Sequence, residues 1–202
     1  MKRRTWLKST LSQLVYGLAG IAGFGTVTRM LKQRQRRYLP VSEPSVLRPP
    51  GALTAEADFL QACIRCQRCY DSCPSGAIRL GRPGDPVQLG TPFIVAADQA
   101  CTLCLECTHV CPSGALLPIE ELKTVGMGTA VVDERTCVSH SRTGACGACH
   151  TVCPLRGQAI IQGLYNAPEV IEDVCVGCGL CEQACILKGV KAIRVFSDRA
   201  PA

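Results

Sequence analysis

Short runs of β-prone apolar residues alternate with cysteine-rich segments along most of the chain. Each run is rich in Val, Ile or Phe, and polar residues, Gly or Pro bound it, which is the pattern of a short strand. The runs cover residues 77–80, 92–96, 129–132, 159–161, 169–171 and 192–196. Strand, cysteine loop, short helix and strand recur about every 35–45 residues, which makes them an internal repeat. The pattern predicts an α+β fold of small β-hairpins and short helices.

The first 37 residues have a different character from the rest. They contain nine Lys or Arg and no acidic residue, and a weakly apolar stretch at 11–28 carries four glycines. The string from Arg3 to Lys8 resembles a twin-arginine export signal, and no small-x-small cleavage site follows the apolar stretch. About eighteen residues only just suffice to cross a bilayer. We therefore expect residues 1–37 to be a twin-arginine-type signal or an uncleaved membrane tether.

The remaining chain divides by composition into an arm and a body. Residues 38–58 contain four prolines, which disfavour regular helix and favour extended backbone, so we expect a proline-rich linker or wrapping arm. Residues 59–202 hold all sixteen cysteines and form the predicted body.

The net charge changes sign once the N-terminal segment is set apart. The chain has 22 basic and 16 acidic residues, and nine of the basic ones precede residue 38. Residues 38–202 therefore carry 13 basic and 16 acidic residues, a net charge of −3. A body of this charge lacks the basic face that nucleic-acid binding requires, so we expect no nucleic-acid partner.

The sixteen cysteines form four groups of four. Groups one, two and four have the spacing C-x2-C-x2-C-x3-C, the run typical of bacterial ferredoxins. Group three has the same second half, but eight residues separate its first two cysteines. The groups are Cys63, Cys66, Cys69 and Cys73; Cys101, Cys104, Cys107 and Cys111; Cys137, Cys146, Cys149 and Cys153; and Cys175, Cys178, Cys181 and Cys185.

This spacing suits the cubane cluster 4Fe-4S. Two intervening residues let three thiolates converge on three irons of one cluster, while the fourth cysteine starts a helix that leads away. In two-cluster ferredoxins that fourth cysteine ligates the other cluster. We therefore predict four 4Fe-4S clusters, with all sixteen cysteines as iron ligands, in two ferredoxin-like units.

Three other uses of the cysteines fit the pattern less well. Four repeats of one cluster motif are not a disulfide framework. Zinc sites usually pair separate C-x2-C knuckles. The string Cys146-Gly147-Ala148-Cys149-His150 matches the haem attachment motif C-x-x-C-H, but Cys153 and Pro154 complete a ferredoxin half-motif at the correct distance.

The pairing of the groups stays open at this point. Sequential or tandem pairing, one with two and three with four, is favoured by the 29-residue step from Cys146 to Cys175. Nested pairing, two with three inside one with four, is favoured by residues 111–115 and 128–133, which resemble the central hairpin of four-cluster subunits in molybdenum oxidoreductases.

The chain resembles the periplasmic ferredoxin-type family of NapG and MauM from Arg3 onward. The marks are the twin-arginine start, residues 48–52 and 91–96, the four groups in order, and above all the long-gapped third group. Ile186 departs from the Cys-Pro pattern of groups one to three.

The resemblance implies a periplasmic electron carrier that associates with the membrane. NapG-like proteins are thought to take quinol electrons through a membrane-bound polyferredoxin partner and pass them towards a periplasmic nitrate reductase. MauM-like proteins are associated with the maturation of methylamine dehydrogenase. The sequence does not choose between these. It holds no phosphate-binding loop and no complete dinucleotide fingerprint, so we expect no substrate site and no catalytic residue of its own.

Overall fold

The computed structural model describes residues 46–199. The expected targeting segment 1–37, residues 38–45 of the expected arm, and residues 200–202 lie outside the described part. Within residues 46–199, no helix is both long enough and apolar enough to cross a membrane.

The elements are short, as the sequence pattern predicts. The helices are α1 (Glu56–Ala62), α2 (Arg68–Asp71), α3 (Glu106–His109), α4 (Ala148–Val152) and α5 (Leu180–Gln183), with single 3-10 turns at Leu122–Thr124 and Leu164–Asn166. The strands are β1 (Val46–Leu47), β2 (Ile78–Leu80), β3 (Pro92–Val95), β4 (Thr129–Val132), β5 (Ile160–Gln162), β6 (Pro168–Val170) and β7 (Ile193–Phe196). All six predicted strands form, so the α+β fold class is confirmed.

Residues 127–199, the second half, are closed by two antiparallel strand pairs. The β4 strand, which precedes group three, pairs with β7, which follows group four, in the register Thr129 with Phe196. The β5 strand, which follows group three, pairs with β6, which precedes group four, in the register Ile160 with Val170. Groups three and four are therefore enclosed together.

Residues 46–117, the first half, repeat this arrangement with the help of the arm. The β2 strand, after group one, pairs with β3, before group two, and β1 adds to the far edge of β3. The outer pair consists of residues 51–53 and 115–117: the Leu53 amide donates to the Ala115 carbonyl over 3.1 Å, and the Leu117 amide donates to the Gly51 carbonyl over 2.8 Å. The arm thus supplies strands to the first half, and the boundary expected at residue 58 lies inside α1.

Arg48 holds the arm to the first half from a buried position. Its side chain is 5% exposed, and its guanidinium donates to the Glu56 carboxylate of α1, the Thr91 hydroxyl over 3.1 Å and the Pro92 carbonyl over 2.7 Å. The guanidinium carbon also lies 4.7 Å from the centroid of the Phe59 ring. A buried cation needs such partners, because an isolated charge away from water is strongly destabilising.

The core is built from few large side chains. Leu47, Phe59, Ile94, Leu116 and Val195 are among the side chains with almost no exposure. Buried and half-buried cysteines pack into the same apolar cluster. With only 4% aromatic residues, the chain places cysteine-lined sites where larger side chains would fill the core of an ordinary domain.

Candidate metal centres

The structure brings the sixteen cysteines together in four sets, and three of the sets line separate cavities. Each set takes three cysteines from one group and the last cysteine of another. Site 1 has Cys63, Cys66, Cys69 and Cys111; site 2 has Cys73, Cys101, Cys104 and Cys107; site 3 has Cys137, Cys146, Cys149 and Cys185; site 4 has Cys153, Cys175, Cys178 and Cys181. The cysteines of sites 1, 3 and 4 each line one cavity. Those of site 2 lie close enough for Cys101 and Cys107 to interact electrostatically with Cys73 and Cys104.

This exchange of last cysteines decides the pairing of the groups. Cys111 of group two lies in site 1, and Cys73 of group one lies with group two in site 2. Cys185 and Cys153 are exchanged in the same way between groups four and three. The pairing is therefore sequential, one with two and three with four, and the nested alternative does not form. The strands agree with this pairing, because the strand after group one pairs with the strand before group two, and the strand after group three pairs with the strand before group four.

Left-handed backbone conformations turn each cysteine loop around its site. In group one Arg65 and Gln67 have φ of 58° and 66°, and in group two Leu103 and Leu105 have φ of 59° and 64°. Such conformations cost about 1–2 kcal/mol for residues other than Gly. Successive amides in right- and left-handed conformations form a concave, anion-binding backbone, which suits a cluster of thiolates and sulfides. The sequence does not signal these conformations in groups one and two, where no Gly stands at these positions.

Burial makes most of the inner thiols poor acids on their own. Burial, reinforced by neighbouring cysteines, raises the pKa of Cys69 to about 11, and burial raises the pKa of Cys101 and of Cys107 to about 12. Burial likewise raises the pKa of Cys181 well above its ordinary value. Thiolates in such positions require a positive charge at the site, and bound iron would supply that charge.

Cys73 and Cys111 differ from the other cysteines in their hydrogen bonds. Burial raises their pKa, but hydrogen bonds from the serine two residues on and from nearby amides outweigh it, so the pKa of each thiol is lowered. The Ser75 hydroxyl lies 3.5 Å from the Cys73 sulfur, and the Ser113 hydroxyl lies 3.7 Å from the Cys111 sulfur. The string Cys-Pro-Ser-Gly-Ala, which occurs in both groups, is the sequence signal for these serines, but the cysteine spacing alone assigns them no role.

The long gap in group three is closed by a buried serine. The Cys146 amide donates to the Ser139 hydroxyl over 2.9 Å, and Ser139 is 1% exposed. The Ser141 amide donates to the Cys137 carbonyl over 2.9 Å, so the extra residues fold into a turn. Cys137 therefore lines the same cavity as Cys146, and group three forms a site in the manner of the other groups. Sequence reasoning did not identify Ser139, because nothing in the spacing marks it.

The cavities fit a cluster better than a single ion. The free space in sites 3, 4 and 1, including the mouth that opens to solvent, is about 400, 350 and 360 Å³. Across residues 46–199, no three His, Cys, Asp or Glu side chains are arranged to hold one metal ion. Zinc draws four thiolates to about 2.3 Å from one point. The ligands of 4Fe-4S bind four different irons and stand apart around the cube, and four cysteines line each of these three cavities.

The histidines do not line the cavities of sites 1, 3 and 4. Cys146 and Cys149, the cysteines of the C-x-x-C-H string, line site 3 together with two further cysteines. They are therefore not set apart as a pair for haem attachment. The His140 ring is hydrogen-bonded to the Pro168 carbonyl over 2.9 Å. Neither His150 nor His109 lines one of the three cavities.

Family models agree with this chemistry. A 4Fe-4S dicluster domain matches residues 62–115 and again 100–157, and a 4Fe-4S binding domain matches residues 175–188. The first match covers groups one and two, which the structure pairs. The chain is therefore an iron–sulfur protein with ferredoxin-like domains.

Relatives that match most of the chain are ferredoxin-type proteins of two kinds. The methylamine utilization ferredoxin-type protein MauM of Methylobacillus flagellatus is 41% identical over 188 residues, which cover 88% of this chain and 78% of the relative. MauM of Methylorubrum extorquens is 43% identical over 166 residues, 77% of this chain and 74% of the relative. The ferredoxin-type protein NapG of Escherichia coli is 34% identical over 192 residues, 88% of this chain and 80% of the relative.

Proposed function

The chain belongs to the family of ferredoxin-type proteins that includes MauM and NapG, and on that premise we propose that it is a four-cluster electron relay outside the cytoplasm. It is an iron–sulfur electron-transfer protein rather than an enzyme with a substrate site of its own. Each of its four cysteine sites holds one 4Fe-4S cluster, and all sixteen cysteines are iron ligands. The observation that carries the proposal is the sorting of sixteen cysteines into four sets of four.

We propose one redox partner on either side of the relay. One is a membrane-bound polyferredoxin that oxidises quinol, and the other is a periplasmic reductase that receives the electrons. Export by the twin-arginine route suits such a protein, because clusters are inserted in the cytoplasm before the folded chain crosses the membrane. Replacement of both Arg3 and Arg4 by Lys is expected to retain the loaded protein in the cytoplasm, as cell fractionation would measure.

The second candidate is an electron donor in the maturation of a periplasmic dehydrogenase. The observation in its favour is the identity to the methylamine utilization proteins, 38–43%, against 34–35% for the NapG proteins. Both candidates use the same clusters and differ in the acceptor and in when the chain is needed.

Metal content is the direct test of the cluster number. Protein purified without oxygen should contain about sixteen iron and sixteen sulfide per chain and show interacting S = 1/2 signals after reduction. Cys111→Ser should remove the site 1 cluster, although Cys111 belongs to group two, and Cys73→Ser should remove the site 2 cluster. Zinc with little iron, or a haem absorption band, would end the proposal.

Timing separates the two candidates. A relay is needed throughout turnover, so Cys66→Ser or Cys178→Ser should slow quinol-dependent flux while the isolated reductase stays active with an artificial donor. A maturation factor is needed only once. If the partner enzyme, once mature, keeps its full physiological activity after the chain is depleted, the relay candidate fails and the maturation candidate stands.

A further inference from the structure

The two halves meet at a tight contact between site 2 and site 4. The Cys101 amide donates to the Cys178 carbonyl over 3.0 Å, so a ligand of one site is hydrogen-bonded to a ligand of the other. Cys101 belongs to the first half and Cys178 to the second. This bond lies between groups that share no ligand, so the exchange of last cysteines does not explain it.

The residues around this contact are packed for close approach. Ala96 and Ala100, in the segment between β3 and group two, have no exposed surface. Gly179, directly after Cys178, faces them, and a Cβ on Gly179 would overlap the Cβ of Ala96 and lie 3.7 Å from that of Ala100. The small side chains on both sides let the two cysteine loops touch.

The cluster loop by itself does not require glycine at this position. Gly179 has φ of 83°, and the equivalent residues of groups one and two, Gln67 and Leu105, have φ of 66° and 64°. Larger residues therefore adopt the left-handed conformation at the same place in the loop. Gly179 is required by the neighbouring half, because Ala96 occupies the space that a Cβ at this position would need.

A glutamine side chain adds polar bonds to the same contact. The Gln183 amide group donates to the Asp98 carbonyl over 3.2 Å and to the Gln99 side chain over 3.3 Å, and it accepts from the Ala100 amide over 3.4 Å. Gln183 lies on α5, which starts in the site 4 loop. Both sides of the contact are thus attached to cysteine loops.

Within each half, the two sites are also neighbours. Cys107 of site 2 lies close enough to Cys69 of site 1 for their charges to interact. The same holds for Cys181 of site 4 and Cys149 of site 3. With the Cys101 and Cys178 contact, these links join the sites in one line: site 1, site 2, site 4, site 3.

We propose that electrons pass through the clusters in the order site 1, site 2, site 4, site 3, or in reverse, and that the Cys101–Cys178 contact is the step between the halves. This rests on the proposed function, since it requires a cluster at each site. The outer sites 1 and 3 are then the ends at which the two redox partners exchange electrons. Sites 2 and 4 are interior carriers.

Two double variants test the order without any partner protein. Cys66→Ser with Cys146→Ser leaves only the inner sites 2 and 4, and Cys104→Ser with Cys178→Ser leaves only the outer sites 1 and 3. Each should retain about eight iron per chain. EPR of the reduced inner-pair variant should show spin–spin interaction, whereas the outer-pair variant should show two simple, independent signals. Independent signals in the inner pair, or equal interaction in both variants, would overturn the order.

Glycine variants test the contact in the fully loaded chain. Gly179→Ala forces a Cβ against Ala96, whereas Gly189→Ala changes a glycine of the same φ, 83°, whose Cβ would meet nothing within 4 Å. Gly179→Ala should reduce the interaction pattern to that of two separate cluster pairs, and Gly189→Ala should keep the wild-type pattern. Identical patterns in both variants and wild type, at full iron content, would refute the contact as the step between halves.

The two proposals fail in different ways. Low iron in the unmodified protein contradicts the four-cluster function. Full iron in the unmodified protein with non-interacting inner clusters contradicts only the order of transfer.

Discussion

Replacing Arg48 should loosen site 1 before any other site. Arg48→Met removes a guanidinium that joins the arm to α1 through Glu56 and to the start of β3 through the Pro92 carbonyl. The α1 helix runs directly into Cys63, and Phe59 on the same helix lines the site 1 cavity. Loss of this cation therefore releases the segment that carries the first ligand of group one.

The magnitude follows from burial. The Arg48 side chain is 5% exposed and that of Glu56 is 15% exposed, so the carboxylate is left largely away from water without its partner. Breaking a buried ion pair by removing one member costs about 3–5 kcal/mol. At 1.4 kcal/mol per factor of ten, opening of this segment should become at least about 100-fold more frequent.

An exposed ion pair provides the matched control. Arg79 and Asp98 are 46% and 54% exposed, and their closest atoms are 3.0 Å apart. Exposed pairs contribute about 0–1 kcal/mol, so Arg79→Met should change the opening frequency by no more than about fivefold. Arg48→Met combined with Glu56→Leu should recover much of the loss, because neither charge then remains buried alone.

The assay is the rate of cluster loss in moderate guanidinium without oxygen, followed by iron–sulfur absorbance in the visible range. Iron remaining with the protein, together with EPR, shows which site empties first. We expect Arg48→Met to lose about a quarter of its iron rapidly and the rest slowly. If Arg48→Met loses its clusters at the Arg79→Met rate, or loses all four together, the reasoning from burial is wrong.

Two further predictions concern serines near the cysteine sites. Ser139→Ala leaves the amide of the second group-three cysteine without its acceptor, so site 3 should be destabilised by about 1–3 kcal/mol and lose iron first to a chelator, whereas exposed Ser141→Ala should behave as wild type. Ser113→Ala removes a hydrogen bond to the Cys111 sulfur and should lower the reduction potential of the site 1 cluster, because such bonds stabilise the more negative reduced state. An EPR-monitored redox titration in which only the potential of site 2 moved would contradict the second prediction.

Much of the fold was predictable because its signals are local. The six predicted strands are runs of three to five residues whose local composition favours strand, and all six form. The arm was different. Four prolines indicated an extended segment, but its pairing with residues 115–117 depends on residues more than sixty positions away.

The groups show the same division between local and distant information. Within C-x2-C-x2-C, three thiols converge because the loop between them is too short to do otherwise, so the spacing alone indicated a cluster ligand. The supporting residues Ser139 and Arg48 were not visible in this way. Arg48 donates to Thr91 and Pro92, more than forty positions away, and the bond between the Cys146 amide and Ser139 depends on how the extra residues of group three fold.

The sequence by itself determined the cluster chemistry, the number of cysteine groups and the strands around them, since each depends on residues within about a dozen positions of one another. Only the tertiary structure decided that Cys111 lies in site 1 with three cysteines of group one and that Cys185 lies in site 3 with three cysteines of group three. It also decided that the Cys101 amide donates to the Cys178 carbonyl. The last cysteine of a group points away from its own loop, so its destination depends on which strands pair across the fold. Sequential and nested pairing are both compatible with the spacing, and the contacts of β4 with β7 and of β2 with β3 select the sequential one.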